Sequence, residues 1–129
     1  MKNDINTIDD IKTLVDSFYT KVREHSVLKN IFENAIQDRW PIHLEKMYCF
    51  WQTVLLSEHT YSGSPFAPHV KLGIVSQHFE VWLKLFKETL EENFRGTKAD
   101  EALWRAQKMA EMFQYKLDYL NNSTKNQLV

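Results

Sequence analysis

The sequence predicts an all-α protein, and three observations carry that reading. The 129 residues include only three glycines and three prolines, where average usage would place roughly 15 such residues. So few chain breakers leave little room for a turn-rich β sandwich or a glycine-rich nucleotide fold. Four long segments carry apolar residues at spacings of three and four, the period of one face of a helix. No segment shows a convincing strand alternation. The length fits one domain spanning residues 1–129, with a core over about 7–120 and a polar tail over 121–129. At that size a single apolar core needs no disulfide or metal staple.

The first helix opens at Thr7, with Asp10 three residues on to complete a capping box. Ile8, Ile11, Leu14, Val15, Phe18 and Val22 then form one apolar stripe. His25-Ser26 reads as a break, with Ser26 capping a short turn that carries Val27, Leu28, Ile31 and Phe32. A second long helix begins near Asp38–Pro41, because proline is tolerated in a helix's first turn. Its apolar residues, among them Leu44, Met47, Tyr48, Trp51, Val54 and Leu55, span more than half its circumference and predict burial on several sides.

The stretch HTYSGSPFAP at 59–68 holds one glycine and two prolines and is the least regular part of the chain. Only a short helical possibility, at 70–72, follows before Gly73. A third long helix starts near Ser76 and carries Phe79, Trp82, Leu83, Phe86, Leu90 and Phe94 to a left-handed cap at Gly96. The last starts at Thr97, with Asp100 in the capping-box position, and runs through Ala106, Met109, Phe113 and Leu117 to Leu120. The polar residues after Asn121 are expected to fray.

Charge and cysteine usage narrow the function. Sixteen basic residues face 17 acidic ones, a net charge of −1, with none of the cationic surplus that phosphate binding draws on. No nucleic-acid partner is expected. The longest stretches free of charged residues run 11 residues, 47–57 and 60–70, against about 20 needed to span a bilayer. No membrane partner is expected either. The amino terminus, MKNDINTIDD, is too acidic for a signal peptide, and one cysteine, Cys49, cannot pair within the chain. A cytoplasmic protein is the expectation.

Catalytic signatures are sparse. The sequence contains no HExxH, no ExxH pair of the di-iron bundles, no glycine-rich phosphate loop and no GxSxG. Histidines beside aromatics remain. On the second long helix His43 lies about 40° from Met47 and about 20° from Phe50, so all three share a stripe. His69 follows Pro68 in a short segment suited to aiming one imidazole. Either both are packed core residues, or the two imidazoles face each other across a flat apolar cofactor. Haem would suit the second arrangement, since neutral imidazole ligates iron while groups opposite govern the sixth position.

Five stretches, in order, then resemble the truncated haemoglobins, and within them the group III (P-type) branch: LVDSFYTKVREHSVLKNIF (14–32), WPIHLEKMYCFWQTVLL (40–56), YSGSPFAPHVKLGI (61–74), HFEVWLKLFKETLEENF (78–94) and RAQKMAEMFQYKL (105–117). The sequence lacks the glycine pairs that groups I and II use at helix junctions, as group III does. The resemblance implies a truncated globin, a two-over-two helical sandwich, binding haem b. It implies His69 as the proximal iron ligand, Tyr19 as the distal tyrosine and His43 in the distal histidine position, where it is also a possible iron ligand. Met47 and Phe50 would flank His43, Trp82 would match the group III distal tryptophan, and Phe32 would pack on the haem plane. Lys46 is a candidate partner for a haem propionate, with Arg39 and Lys71 weaker ones. Cys49 lies about 240° round the helix from His43 and is expected in the core, not on iron.

The function so implied is binding of O2, NO or peroxide at iron, with Tyr19, Trp82 and His43 stabilising the ligand. Strong retention of O2 would suit peroxidase-like or nitric-oxide dioxygenase-like chemistry, fed by an unidentified reductase, better than oxygen transport. The alternative is a haem-based gas sensor or interaction module without turnover.

Overall fold

The structure, a computed structural model, describes residues 2–63, 69 and 72–127, with the backbone alone from 121. Residues 64–68, 70 and 71, which include most of the irregular stretch, part of the short helical possibility and Lys71, lie outside the described residues. Five helices make up the fold: α1 (Ile8–Glu24), α2 (Lys29–Ile36), α3 (Trp40–Leu56), α4 (Ser76–Asn93) and α5 (Thr97–Gln127). Among the described residues there is no strand, only an isolated bridge between Asn3 and Phe94.

Helix α1 is the hub. It packs against α3 on one side and α4 on another, while α4 packs along α5 and α2 leans on α1. Two helix pairs, α1 with α3 and α4 with α5, are thus joined through α1. The expected capping box forms: Asp10 N–H donates to Thr7 Oγ1 at 3.3 Å, and Thr7 N–H donates to Asp10 Oδ2 at 3.0 Å. The expected stripe is buried at Ile11, Leu14, Val15, Phe18 and Val22, and Tyr19 is buried with it. Each such side chain contributes about 1.5–3 kcal/mol by leaving water. Rings knit the pairs together: Phe86 of α4 stacks on Trp51 of α3 at 5.1 Å and meets Phe18 of α1 edge to face at 5.2 Å.

Four local expectations are corrected. Ser26 caps nothing: α2 starts from Leu28 without a side-chain cap, and the turn before it is held by the His25 imidazole, its Nδ1 accepting from Val27 N–H at 3.1 Å. Gly96 is no left-handed helix end, since α4 stops at Asn93 and the buried Phe94 turns out into extended backbone. Asp100 does not complete a capping box for α5, because another carboxylate is already there. Asp4 accepts from Lys98 N–H and Ala99 N–H, each at 2.9 Å. Finally, the helix runs on to Gln127 where fraying was expected after Asn121.

The amino-terminal segment is therefore part of the core. Ile5 is fully buried, and Arg95 N–H donates to the Asn3 carbonyl at 3.0 Å. Burial acts to raise the Asp4 carboxyl, but the N–H groups of Lys98, Ile5 and Ala99 and the Thr97 hydroxyl outweigh it, holding it below the ordinary value. Gly96 makes room for this cap. Its φ is +146°, and a Cβ there would meet Asp4 Cγ at 2.5 Å.

Candidate functional site

Apolar periodicity puts more large side chains on the inner faces of α1, α3 and α4 than their mutual contacts consume. Helix α3 shows the result. Only Trp40, Phe50, Trp51 and Leu55 are buried, while His43, Met47 and Phe50 line a cavity of about 550 Å³. Residues of all five helices wall that cavity. Its size is in the range of small-molecule and cofactor sites.

The eight residues singled out from sequence all reach it: Tyr19 from α1, Phe32 from α2, His43, Lys46, Met47 and Phe50 from α3, His69 from the segment before α4, and Trp82 from α4. Arg39 also lines it, although its guanidinium donates to the carbonyls of Ala35 at 2.8 Å and Ile36 at 3.3 Å. Cys49 is half-buried and not among the described lining residues.

On one side an aromatic cluster surrounds His43. The Tyr19 ring meets it edge to face at 5.1 Å, and Trp40 does so at 5.8 Å. Phe32 touches Tyr19 at 6.0 Å. Trp82 lies parallel to Phe86 at 5.5 Å and against the edge of Phe18 at 5.5 Å. This packing holds the rings in place, so a group entering the cavity meets fixed donors. Burial pushes the Tyr19 hydroxyl well above its ordinary value, so it keeps its proton and remains a donor. Burial first, then the nearby charges of His69 and Lys46, push His43 down to about 4. His43 is therefore neutral at pH 7. Its Nε2 is buried without a hydrogen-bond partner among the described residues, as is Trp40 Nε1 beneath the Arg23 guanidinium, 4.3 Å from the ring.

On the other side, His69 packs on Phe113 of α5, ring centroids 5.0 Å apart and tilted by 42°. Its Nδ1 is buried, and Leu72 N–H donates to its carbonyl at 3.3 Å. Two imidazoles 26 positions apart in sequence, His43 and His69, thus line one space.

Sequence reasoning missed three lining or supporting residues. Trp40 precedes Pro41 and carries no periodic signal. Phe113 sits on a stripe that reads as ordinary core. His78 is a third imidazole on the cavity, at a first-turn position of α4 where only its local bond to the backbone marks it.

Comparison with known proteins decides what kind of cavity this is. Residues 3–115 match the family described as bacterial-like globin. The chain is 38% identical over 121 residues to the Group 3 truncated hemoglobin ctb of Campylobacter jejuni, covering 91% of this chain and 95% of that protein. The crystal structure of a group III truncated hemoglobin from Campylobacter jejuni is similar with a TM-score of 0.82, over 91% of this chain and 95% of that one, at 38% identity. The chain belongs to the group III truncated haemoglobins. The five-helix arrangement is thus the truncated globin sandwich, and a globin of this kind binds haem and small diatomic ligands.

The residues present fit that cofactor. Iron carried in a porphyrin ring needs one imidazole from the protein. The cavity supplies three among its described lining residues, His43, His69 and His78, and the Nε2 of His43 is a buried polar atom that an occupant would complete. Its described lining includes the cations Arg39 and Lys46 and no carboxylate, which suits a ring bearing acidic side chains. Among the described residues no helix is long and apolar enough to cross a membrane.

Proposed function

We propose that this globin holds haem b through His69 and uses Tyr19, Trp82 and His43 to bind and polarise O2, NO or peroxide. We assign it redox work, peroxide reduction or reaction of O2 with NO, in preference to oxygen transport, with an unidentified reductase returning electrons. The observation that carries this reading is the convergence of His69 and His43 on one apolar cavity whose wall also presents a protonated phenol. Haem supplies an iron centre with one position for an imidazole and one for the small ligand.

The chain's own residues set what happens there. Phe32, Met47 and Phe50 give the cavity an apolar wall, beside which a polar contact is stronger than in water. Tyr19 offers an O–H and Trp82 an Nε1–H to negative charge on the ligand. A hydrogen bond to a charged group is worth about 1.5–3 kcal/mol, so two such donors would slow ligand loss by two to four orders of magnitude, about tenfold for each 1.4 kcal/mol. Retention that strong defeats rapid delivery and favours chemistry on the held ligand. His43 stays neutral and close to Tyr19, where it completes the polar side of the site or reaches iron when no other ligand is there. Lys46 is assigned to a haem carboxylate. A reducing cytoplasm, which keeps Cys49 a thiol, is the setting this reading requires.

The test is His69→Ala. Recombinant wild type should show a Soret band and a histidine-ligated ferrous spectrum; the variant should lose haem readily and regain that spectrum when free imidazole is added. A variant that still shows five-coordinate, histidine-ligated ferrous haem without added imidazole would overturn the assignment.

A further inference from the structure

His78 is left over once His69 and His43 have been given roles. Three observations define it. It lines the same cavity. Its Nδ1 accepts from Val75 N–H at 2.9 Å, and an imidazole nitrogen that accepts a backbone N–H leaves the neutral ring's proton on the other nitrogen. The ring is thereby locked as an Nε2–H donor, and that N–H has no partner among the described residues. The mount is rigid as well: Gln114 of α5 donates from Nε2 to Ser76 Oγ at 2.6 Å, pinning the first turn of an 18-residue helix whose amino-terminal end favours negative charge.

A preset donor on a half-buried side chain beside a helix amino terminus favours an anionic acceptor over water. The described lining contains no carboxylate, so an anionic acceptor there would come from the occupant. We propose that His78 is a binding residue for a carboxylate of the tetrapyrrole, receiving one haem propionate at the start of α4 while Lys46 on α3 answers the other. This rests on the haem reading above and adds a second anchoring point, on the helix that follows His69. Because the Val75 amide fixes the tautomer, the donor is available without protonating the ring.

The two nitrogens of His78 can be tested apart. His78→Asn keeps a side-chain oxygen near the Nδ1 position, able to accept from Val75, but removes the far N–H. His78→Gln keeps an N–H near the Nε2 position. Each holo-protein is mixed with excess apomyoglobin and haem transfer is followed in the Soret band, first with haem and then with haem dimethyl ester, whose carboxylates are blocked. His78→Asn should lose haem about tenfold faster than wild type, the loss of one charge-assisted hydrogen bond. His78→Gln should restore most of the retention, and the ester should leave all three chains at one common rate. Equal haem loss from wild type and His78→Asn would overturn the proposal. So would a variant that sheds haem and ester equally faster, since that marks a packing role. A wild-type chain showing no Soret band with added haemin would overturn the haem reading itself, and this inference with it.

Discussion

Tyr19 and His43 meet edge to face on one side of the cavity, their ring centroids 5.1 Å apart and their planes at 87°. One group is held as a neutral phenol and the other as a neutral imidazole by the same burial. Two uncharged polar rings on an apolar wall form a surface that interacts strongly with a small polar ligand and weakly with bulk ions. That contact lies between α1, with its single apolar stripe, and α3, whose apolar residues span more than half its circumference.

Removing the phenol oxygen should be felt in ligand release. Tyr19→Phe keeps the ring contacts with Phe18, Phe32, Trp40 and His43 and deletes only the donor. Stopped-flow O2 dissociation is expected to accelerate between about tenfold and a hundredfold, the span of one charge-assisted hydrogen bond. Trp82→Phe should do the same through loss of Nε1–H, with a further packing cost from its stack on Phe86. Unchanged rates in both variants would remove these residues from the account. If the two donors share one ligand, the double variant will depart from the product of the single effects.

His43 predicts the pH behaviour of the haem-free chain. Its folded value of about 4 lies below the ordinary 6.5, so the unfolded chain binds more protons between those limits. Stability then rises with pH across that window and falls as pH drops from about 6.5 towards 4. Below about 4 the contribution of His43 saturates. In denaturation series at fixed pH, His43→Phe should flatten this slope; a slope identical to wild type would mean that the ring is solvated in the fold.

Much of the site was legible because its residues sit on local patterns. His43, Met47 and Phe50 share a helical stripe, His69 is marked by the prolines before it, and Tyr19 and Trp82 are embedded in the segments that carry the family resemblance. All eight chosen residues line the cavity. What escaped depends on contacts between distant positions or on rules that local patterns do not encode. The α5 cap comes from Asp4, 94 and 95 positions away from the N–H groups it binds, so Asp100, at the expected spacing, was the wrong carboxylate. His25 displaced Ser26 because an imidazole nitrogen can accept a backbone N–H as a hydroxyl does. His78 passed unnoticed for the same reason: no common capping signature ends in histidine.

The Asp4–Gly96 contact yields a stability prediction that needs two substitutions to read. Asp4→Ala removes a carboxylate that accepts two N–H groups at the start of α5 and should cost about 1–2 kcal/mol, the range for loss of a helix cap. The carboxyl is held below its ordinary value, so its contribution is present above about pH 4 and disappears as pH falls through the lower folded value. Wild type and Asp4→Ala should therefore converge in acid. Gly96→Ala should cost about 1–3 kcal/mol by itself, partly from its backbone angle and partly because the new Cβ would meet the Asp4 side chain. Only the second part depends on Asp4. In the Asp4→Ala background the glycine substitution should consequently cost less, leaving a coupling of at least about 0.5 kcal/mol in a double-mutant cycle of urea denaturation. Strict additivity would mean that the backbone angle alone demands glycine at 96, and that the cap and the glycine are independent features of the same turn.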